Sequence, residues 1–513
     1  MNNAPAILRS LIVYAVCVPL ALIIGYLLTD PMQYSTFVYG GVVMLVLAIP
    51  LLLRCHYWLL LLAWNGTAVV FFLPGRPNLW LATTALSLGM SLLQRALSKE
   101  MHFIKVPQLT WPLICMVVVV IFTAKLTGGF GLKSFGSEVY GGKKYVYTFG
   151  AIAAYFALTA QRIPPQRAGL ALALFFLGGA TAIFGDLYSV LPSAFNFIFW
   201  FFPPNFLNAG VELGVTRLGG ASSASAAAVW YMLARYGIRD IFVSGKKWRL
   251  VAFIAFFLLG FLGGYRVIFI AIGLTFLIQF FLEGLHRTQL MPIFALIGVL
   301  TMVVMIPLVP KLPFTFQREL SFLPLPVDPL AKQAADETLD WRYAMWKALL
   351  PQVPQYLLVG KGYGFSQEDF AFMGDTAFRK TVDASQGTLA LSGDYHNGWL
   401  SVLITFGIWG MIVTIWFFAA GTRVLYCNFR HGDSRLQPAN CFLLANFLMR
   451  VVMFMTISGA GLHVDLLPLA GALGLSVALN GGVRRPAPQP VQAQRPMIHP
   501  ARILPRDRPA FQR

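Results

Sequence analysis

The chain has 513 residues, of which 58% are hydrophobic and 12% charged, and its formal net charge is +19. About a quarter of the residues of a soluble domain carry charge, so a soluble globular protein is excluded. Continuous apolar runs of about 18 or more residues also exclude a β-barrel and imply membrane-crossing helices. The fold class is all-α, a polytopic helical membrane bundle. The basic residues lie in short loops between apolar runs, a pattern that orients membrane helices and does not call for nucleic acid.

In chain order the expected spans are 11–28, 35–53, 57–73, 78–94, 108–126, 144–161, 168–185, 216–234, 249–263, 267–283, 290–309, 396–419, 436–458 and 464–480. That makes about 14 transmembrane helices. The first lacks a small-residue cleavage site before Thr29-Asp30-Pro31 and reads as an uncleaved signal anchor. With a cytoplasmic N-terminus, Arg54, Arg95, Arg162, Arg235, Arg287 and Arg423 fall in inner loops, and Arg76 is a lone exception on the outer side. The organisation is then transmembrane helices 1–11 over residues 1–309, one large periplasmic loop over 310–395, helices 12–14 over 396–480, and a tail from 481 to 513. That tail is Pro-rich and basic and cannot bury a core, so it is expected to be disordered and weakly drawn to anionic lipid. The five cysteines of the chain lie in spans or at their inner ends, and neither a disulfide framework nor a metal site is expected. No internal repeat is evident, which counts against a secondary transporter.

Two outer connections stand out before the large loop. Lys133, Lys143 and Lys144 sit in the Gly-rich stretch 127–144, which reads as a surface loop. Phe197 to Pro204 make 186–215 either a surface loop or a re-entrant or interfacial segment, since aromatic side chains favour the headgroup zone.

The apolar segment 249–283 is too long for one crossing and is interrupted by Gly263-Gly264-Tyr265-Arg266. Two antiparallel helices joined by a tight glycine turn place Arg266 at the outer surface, as a functional cation or as an anchor that snorkels to the headgroups.

Within 310–395, Trp341, Met345, Ala348 and Leu349 recur at helical spacing, with Asp340 placed to cap the start and Pro351 after the end. The resulting short amphipathic helix turns Trp341 and Met345 onto the membrane or the bundle and either lets Arg342 lean over the bundle mouth or is an interfacial helix with ordinary solvated charges. Gly360-Lys361-Gly362-Tyr363-Gly364-Phe365 lacks the strand and helix of a dinucleotide site and reads as a turn that brings backbone close to something.

His396 is expected to start the next membrane helix. A helix N-terminus attracts anions and disfavours a protonated imidazole, so a neutral His396 could take a proton from an attacking hydroxyl; the alternative is an interfacial polar residue at the membrane boundary. Asp394, two residues earlier, either orients His396 or the acceptor, or is an exposed loop carboxylate. Arg450 is an intramembrane charge, with a cation facing a lipid-linked donor and a structural tie to backbone carbonyls as the alternatives. His463 and Asp465 are weaker candidates on the outer side of the following turn.

Taken together and in order, Gly-Gly-Tyr-Arg266, Trp341-Arg342, Pro354 before Gly360-x-Gly362-x-Gly364, His396-Asn397-x-x-Leu400 and Phe406-Gly407-x-x-Gly410 resemble the O-antigen ligase and polymerase superfamily. The resemblance covers roughly residues 249–420. Here Tyr265 precedes Arg266 where serine is frequent in the family, and the span count exceeds the usual dozen by two. The resemblance implies transfer of a glycan from undecaprenyl pyrophosphate, with Arg266 and Arg342 holding the pyrophosphate and His396 acting near the acceptor hydroxyl.

The remaining expectations are a site facing the periplasm at the bacterial cytoplasmic membrane, a glycan or glycolipid acceptor such as lipid A-core, and no metal or other cofactor. Asn397, Asp394 and Arg450 complete the candidate substrate-binding set. A ligase, a polymerase and a protein O-oligosaccharyltransferase all fit the motifs. A transporter of lipid-linked oligosaccharide would explain the spans but not a long outer loop ending in His396.

Overall fold

A computed structural model gives the structure of the chain. It describes residues 34–73, 75–98, 103–131, 140–204, 218–366 and 393–486, with scattered positions between 14 and 29. The expected first span, Lys133, much of the large loop and most of the tail therefore lie outside the described residues.

The described residues are all-α, joined only by isolated backbone bridges. Helix α1 runs Tyr34–Ala63, α2 Leu79–Leu97, α3 Pro107–Leu126 and α4 Gly142–Leu158. After them come α5, a helix with 3-10 turns over Pro165–Asp186, then α6 (Gly219–Phe242), α7 (Lys247–Leu259), α8 (Arg266–Leu282) and α9 (Leu290–Leu308). The large-loop region contributes α10 (Phe314–Leu320) and α11 (Pro329–Leu349), and the last three helices are α12 (Gly398–His431), α13 (Gln437–Met453) and α14 (Leu462–Asn480). Six helices, α3, α5, α9, α12, α13 with its π-turn extension, and α14, are long and apolar enough to cross a membrane. The chain is a multi-pass membrane protein.

Two expectations are corrected by this element order. Residues 35–53 and 57–73 do not form separate spans, because α1 continues through Arg54 as one helix of 30 residues. Only the polar run Arg54-Cys55-His56 suggested a boundary there, and no glycine or proline lies between Leu53 and Trp58 to stop a helix already under way. The amphipathic helix over Trp341 starts twelve positions earlier than expected. Asp328, not Asp340, caps it by accepting from the Leu330 amide at 2.7 Å, and Pro329 fits the first helical position, where no amide partner is needed.

The core is built where α12, α13 and α14 pack with α4, α5 and α6. At one end of the bundle the Ile163 amide donates to Ala478 O at 2.9 Å, and Asn428, Asn440 and Asn480 tie α12, α13 and α14 through side-chain amides. At the other end, which carries His396, Asp186 receives the first amides of α6, Gly220 and Ala221, at 3.0 and 2.7 Å. By contrast α9 buries almost nothing and stands at the periphery.

Between α7 and α8 the chain reverses as the glycines imply. Gly260–Gly263 makes a 3-10 turn and Gly264 takes φ +70°, so that α8 begins at Arg266. Small residues let α6 lie close to this turn: Ser222 Oγ donates to Gly260 O at 2.8 Å and Ser225 Oγ to Phe256 O at 2.6 Å.

Candidate active site

Asn397 begins the junction that carries the site. It has the extended backbone of an N-cap, and its Oδ1 accepts from the Trp399 and Leu400 amides at 3.1 and 3.3 Å. Helix α12 thus starts at Gly398, and His396 stands one residue before the cap instead of opening the helix. Two of the amides that might have met an anion are already bonded to Asn397, and its side-chain oxygen is engaged in the fold.

His396 has φ +49°, a left-handed conformation that costs a side-chain-bearing residue about 1 kcal/mol or more. The turn persists because both flanks are held. Tyr395 is buried, its carbonyl accepts from Trp346 Nε1 at 2.7 Å, and its amide donates to Ser401 Oγ at 3.3 Å. Ser401 Oγ in turn donates to Gly459 O at 2.9 Å, in the connection between α13 and α14. With Tyr395 fixed inward, His396 is left half-buried with its ring 5.8 Å from that of Trp341. Its Nδ1 lies 3.8 Å from Asp394 Oδ1. Burial lowers the imidazole pKa from its ordinary value, Asp394 opposes the shift and Arg342 adds to it. The neutral form is favoured, as expected, although burial and a neighbouring cation account for it.

Both arginines reach the α11 strap. Arg266 donates through Nη2 to Ala335 O at 2.9 Å, which joins the start of α8 to α11. From α11, Arg342 donates through Nη1 to Ile457 O at 3.2 Å, at the end of the π-turn that follows α13. Burial lowers the Arg342 pKa, the charge of Arg266 lowers it further and Asp394 raises it, so one field joins Arg266, Arg342 and Asp394. Helix α11 therefore gathers residues from α8, α13 and the foot of α12. The underside of the strap is apolar, with Met345 and Leu349 packed on Tyr395, Leu400 and Ile404.

Around this gathering, Arg342 Nε, Trp341 Nε1 and Asp394 Oδ1 are buried with no hydrogen-bond partner. Unsatisfied buried donors and acceptors are costly in a resting fold and mark a place where a polar ligand can complete the bonding. Two guanidinium groups, a carboxylate and a mostly neutral imidazole can together hold an anion and accept a proton beside it.

The Gly360–Phe365 segment does bring backbone close to something, and that something is a broken helix. Gly407, at φ +66° inside α12, interrupts the hydrogen-bond ladder. The freed Ile404 and Thr405 carbonyls accept from the Lys361 and Gly362 amides at 2.7 and 2.8 Å, and the Ile408 amide donates to Leu357 O at 2.7 Å. Non-helical backbone is thereby satisfied within the protein, as it must be near a membrane interior. The same segment is bridged to Tyr140 through Phe365, while the Tyr363 amide donates to Tyr145 Oη at 2.8 Å.

Tyr363 is a residue that the sequence reading passed over. Its buried ring meets His463 at 5.2 Å, and Lys144 Nζ lies 5.6 Å above it. Lys144 is accordingly drawn into the protein, where a surface loop was expected; the aromatic face of Tyr363 and the nearby Asp394 carboxylate compensate its charge. The signal available in the sequence was Gly407 in the middle of an apolar span, where an uninterrupted helix has no use for it.

Arg450 does not join the mouth. It lies within α13, donates through Nε to Asn446 Oδ1 at 2.9 Å, and lines two cavities of about 290 and 190 Å³. Asp465 holds the connection between α13 and α14 by accepting from the Ala460 and Gly461 amides at 2.9 and 3.2 Å. The structure thus brings Arg266, Arg342, Asp394 and His396 together, commits Asn397 to capping, and leaves Arg450 apart.

Residues 250–415 match a family model described as O-antigen ligase. The matched stretch contains Arg266, Arg342, Asp394 and His396 and ends before Arg450. No curated protein matches the chain.

Proposed function

We propose, from the match of residues 250–415 to the O-antigen ligase family model, that the chain transfers a glycan from undecaprenyl pyrophosphate to an acceptor hydroxyl at the periplasmic face of the bacterial cytoplasmic membrane. The observation that carries this reading is the gathering of Arg266, Arg342, Asp394 and His396 around one strap helix, with Trp341 Nε1, Arg342 Nε and Asp394 Oδ1 buried and unsatisfied among them.

In this reading the acceptor oxygen attacks the anomeric carbon of the donor sugar while the bond from that carbon to the pyrophosphate oxygen breaks. The electron pair leaves with the pyrophosphate. Arg266 and Arg342 stabilise its charge with planar, permanently protonated donors suited to phosphate oxygens. His396 takes the acceptor proton, and Asp394 beside Nδ1 steadies the imidazolium that results. Lipid A-core, a growing glycan and a protein hydroxyl are the acceptor classes to compare.

The direct test supplies purified protein with undecaprenyl-pyrophosphate glycan and each acceptor in turn and follows transfer. Turnover is expected with one acceptor class and is expected to be lost in His396→Ala and Arg266→Ala. Unchanged turnover in both folded variants would overturn the site. A reporter fused after Gly360 is expected to read as external, and a cytoplasmic reading would overturn the orientation.

A further inference from the structure

Arg450 poses a question that the mouth does not answer. Its guanidinium is always charged and lies within the bundle, where the Asp465 carboxylate acts on it electrostatically but is not hydrogen-bonded to it among the described residues. Its one protein hydrogen bond among the described residues is from Nε to Asn446, so Nη1 and Nη2 meet no protein acceptor there. Asn446 Nδ2 beside it is buried and equally without a partner. These unsatisfied groups are all donors.

They face a cavity. The larger of the two, about 290 Å³, has aromatic walls in Phe175, Phe176 and Trp230 and a polar lining in Asn65, Thr67 and Ser223. Thr67 and Ser223 are exposed, so the cavity opens at their positions, beyond the end of α1 and one turn into α6. Neither Arg266 nor Arg342 lines it. The smaller cavity shares Trp230, Ile268, Arg450 and Pro468 with the larger, and it also includes Asp465. Asp465 is the remaining charged residue lining either cavity, and one of its oxygens is taken by two backbone amides. The larger cavity therefore presents one cation, unsatisfied N–H donors and no carboxylate.

We propose that this cavity is a second oxyanion site, separate from the mouth, in which Arg450 and Asn446 hold a phosphate-class anion that enters past Thr67 and Ser223. A guanidinium with both terminal amino groups free offers two parallel donors to two oxygens of one phosphate. The side-chain amide of Asn446, buried and unsatisfied, adds a further donor beside the guanidinium. The volume far exceeds the roughly 10 to 15 Å³ that one water needs. The same chemistry is offered by a free phosphate or pyrophosphate and by the headgroup of a polyprenyl phosphate.

The test uses the full chain in detergent with Arg266→Gln and Arg342→Gln combined to remove the mouth. Inorganic pyrophosphate is titrated calorimetrically, and undecaprenyl phosphate is followed by native mass spectrometry. The double variant is expected to keep one saturable site for at least one probe, and adding Arg450→Gln is expected to weaken it at least tenfold. Ser223→Phe, which fills the opening and leaves the guanidinium in place, is expected to do the same and decides the matter where Arg450→Gln does not fold. Binding of pyrophosphate alone identifies a free anion, and binding of undecaprenyl phosphate alone identifies a lipid-borne one. The proposal is overturned when the double variant binds neither probe, or when every folded variant binds as the double variant does. Because binding is the readout, failure of glycan transfer leaves this result standing.

Discussion

Nδ1 of His396 stands 3.8 Å from Oδ1 of Asp394, and the residue between them, Tyr395, is buried and anchored through both its amide and its carbonyl. Tyr395 is anchored inward, the side chains on both sides of it stay partly exposed, and His396 enters a positive φ in the same turn.

The pH dependence of transfer follows from the neighbours of His396. As a base it works when neutral, so activity falls as pH drops through its pKa, which lies below the ordinary 6.5. Asp394 raises that pKa and Arg342 lowers it. Asp394→Asn is expected to move the acidic limb to lower pH, and Arg342→Gln to move the limb of the residual activity to higher pH. Limbs that stay in place, or move the same way in both variants, would count against His396 as the base.

Replacing His396 by alanine is expected to lower transfer by about 100- to 10,000-fold, the range typical of a lost general base. Thermal unfolding should show the variant folded, because the turn is held through Tyr395 and Asn397. A loss of activity that accompanies unfolding would assign His396 to structure.

Arg342→Lys keeps the charge and removes the planar fork that bonds Ile457 O. Transfer is expected to fall about 10-fold or more, as when one transition-state donor is lost, with little change in unfolding temperature. Full activity in the lysine variant would show that charge alone suffices.

Trp346→Phe removes the hydrogen bond that fixes the Tyr395 carbonyl. Destabilisation of about 1 to 3 kcal/mol is expected from the unsatisfied carbonyl, together with reduced transfer from a loosened His396. Transfer unchanged in a destabilised protein would separate the strap from catalysis.

Gly407→Ala tests the helix break. At φ +66° a Cβ is strained, and it would stand 2.8 Å from Leu357 O and 3.0 Å from Leu358 O. The expected loss is about 1 to 3 kcal/mol, read as a lower unfolding temperature. Gly298→Ala, in α9 with nothing near its Cβ position, is the control and is expected to be neutral or slightly stabilising by about 0.5 to 1 kcal/mol. Equal behaviour of the two variants would show that the break is not needed.

Much of this protein is written in the sequence because a bilayer reads sequence directly. Apolar length decides which segments become membrane helices, and the pair Gly263-Gly264 marks where α7 turns into α8, because these are local properties. The ordered motifs also named Arg266, Arg342 and His396. What the sequence could not decide is which of these residues meet, and where a helix runs on through a charge, as α1 does at Arg54.

Contacts over 115 positions, such as Arg342 to Ile457, depend on packing that no local pattern encodes. So does the capture of Gly360–Gly362 by the break at Gly407, and so does the burial of Lys144 over Tyr363. The tertiary structure also parted Arg450 from the mouth, since its place is fixed by the depth of α13 in the bundle and not by its charge. Local chemistry selects the residues, and long-range packing in a low-dielectric interior, where each polar group must find a partner, decides which of them share a site.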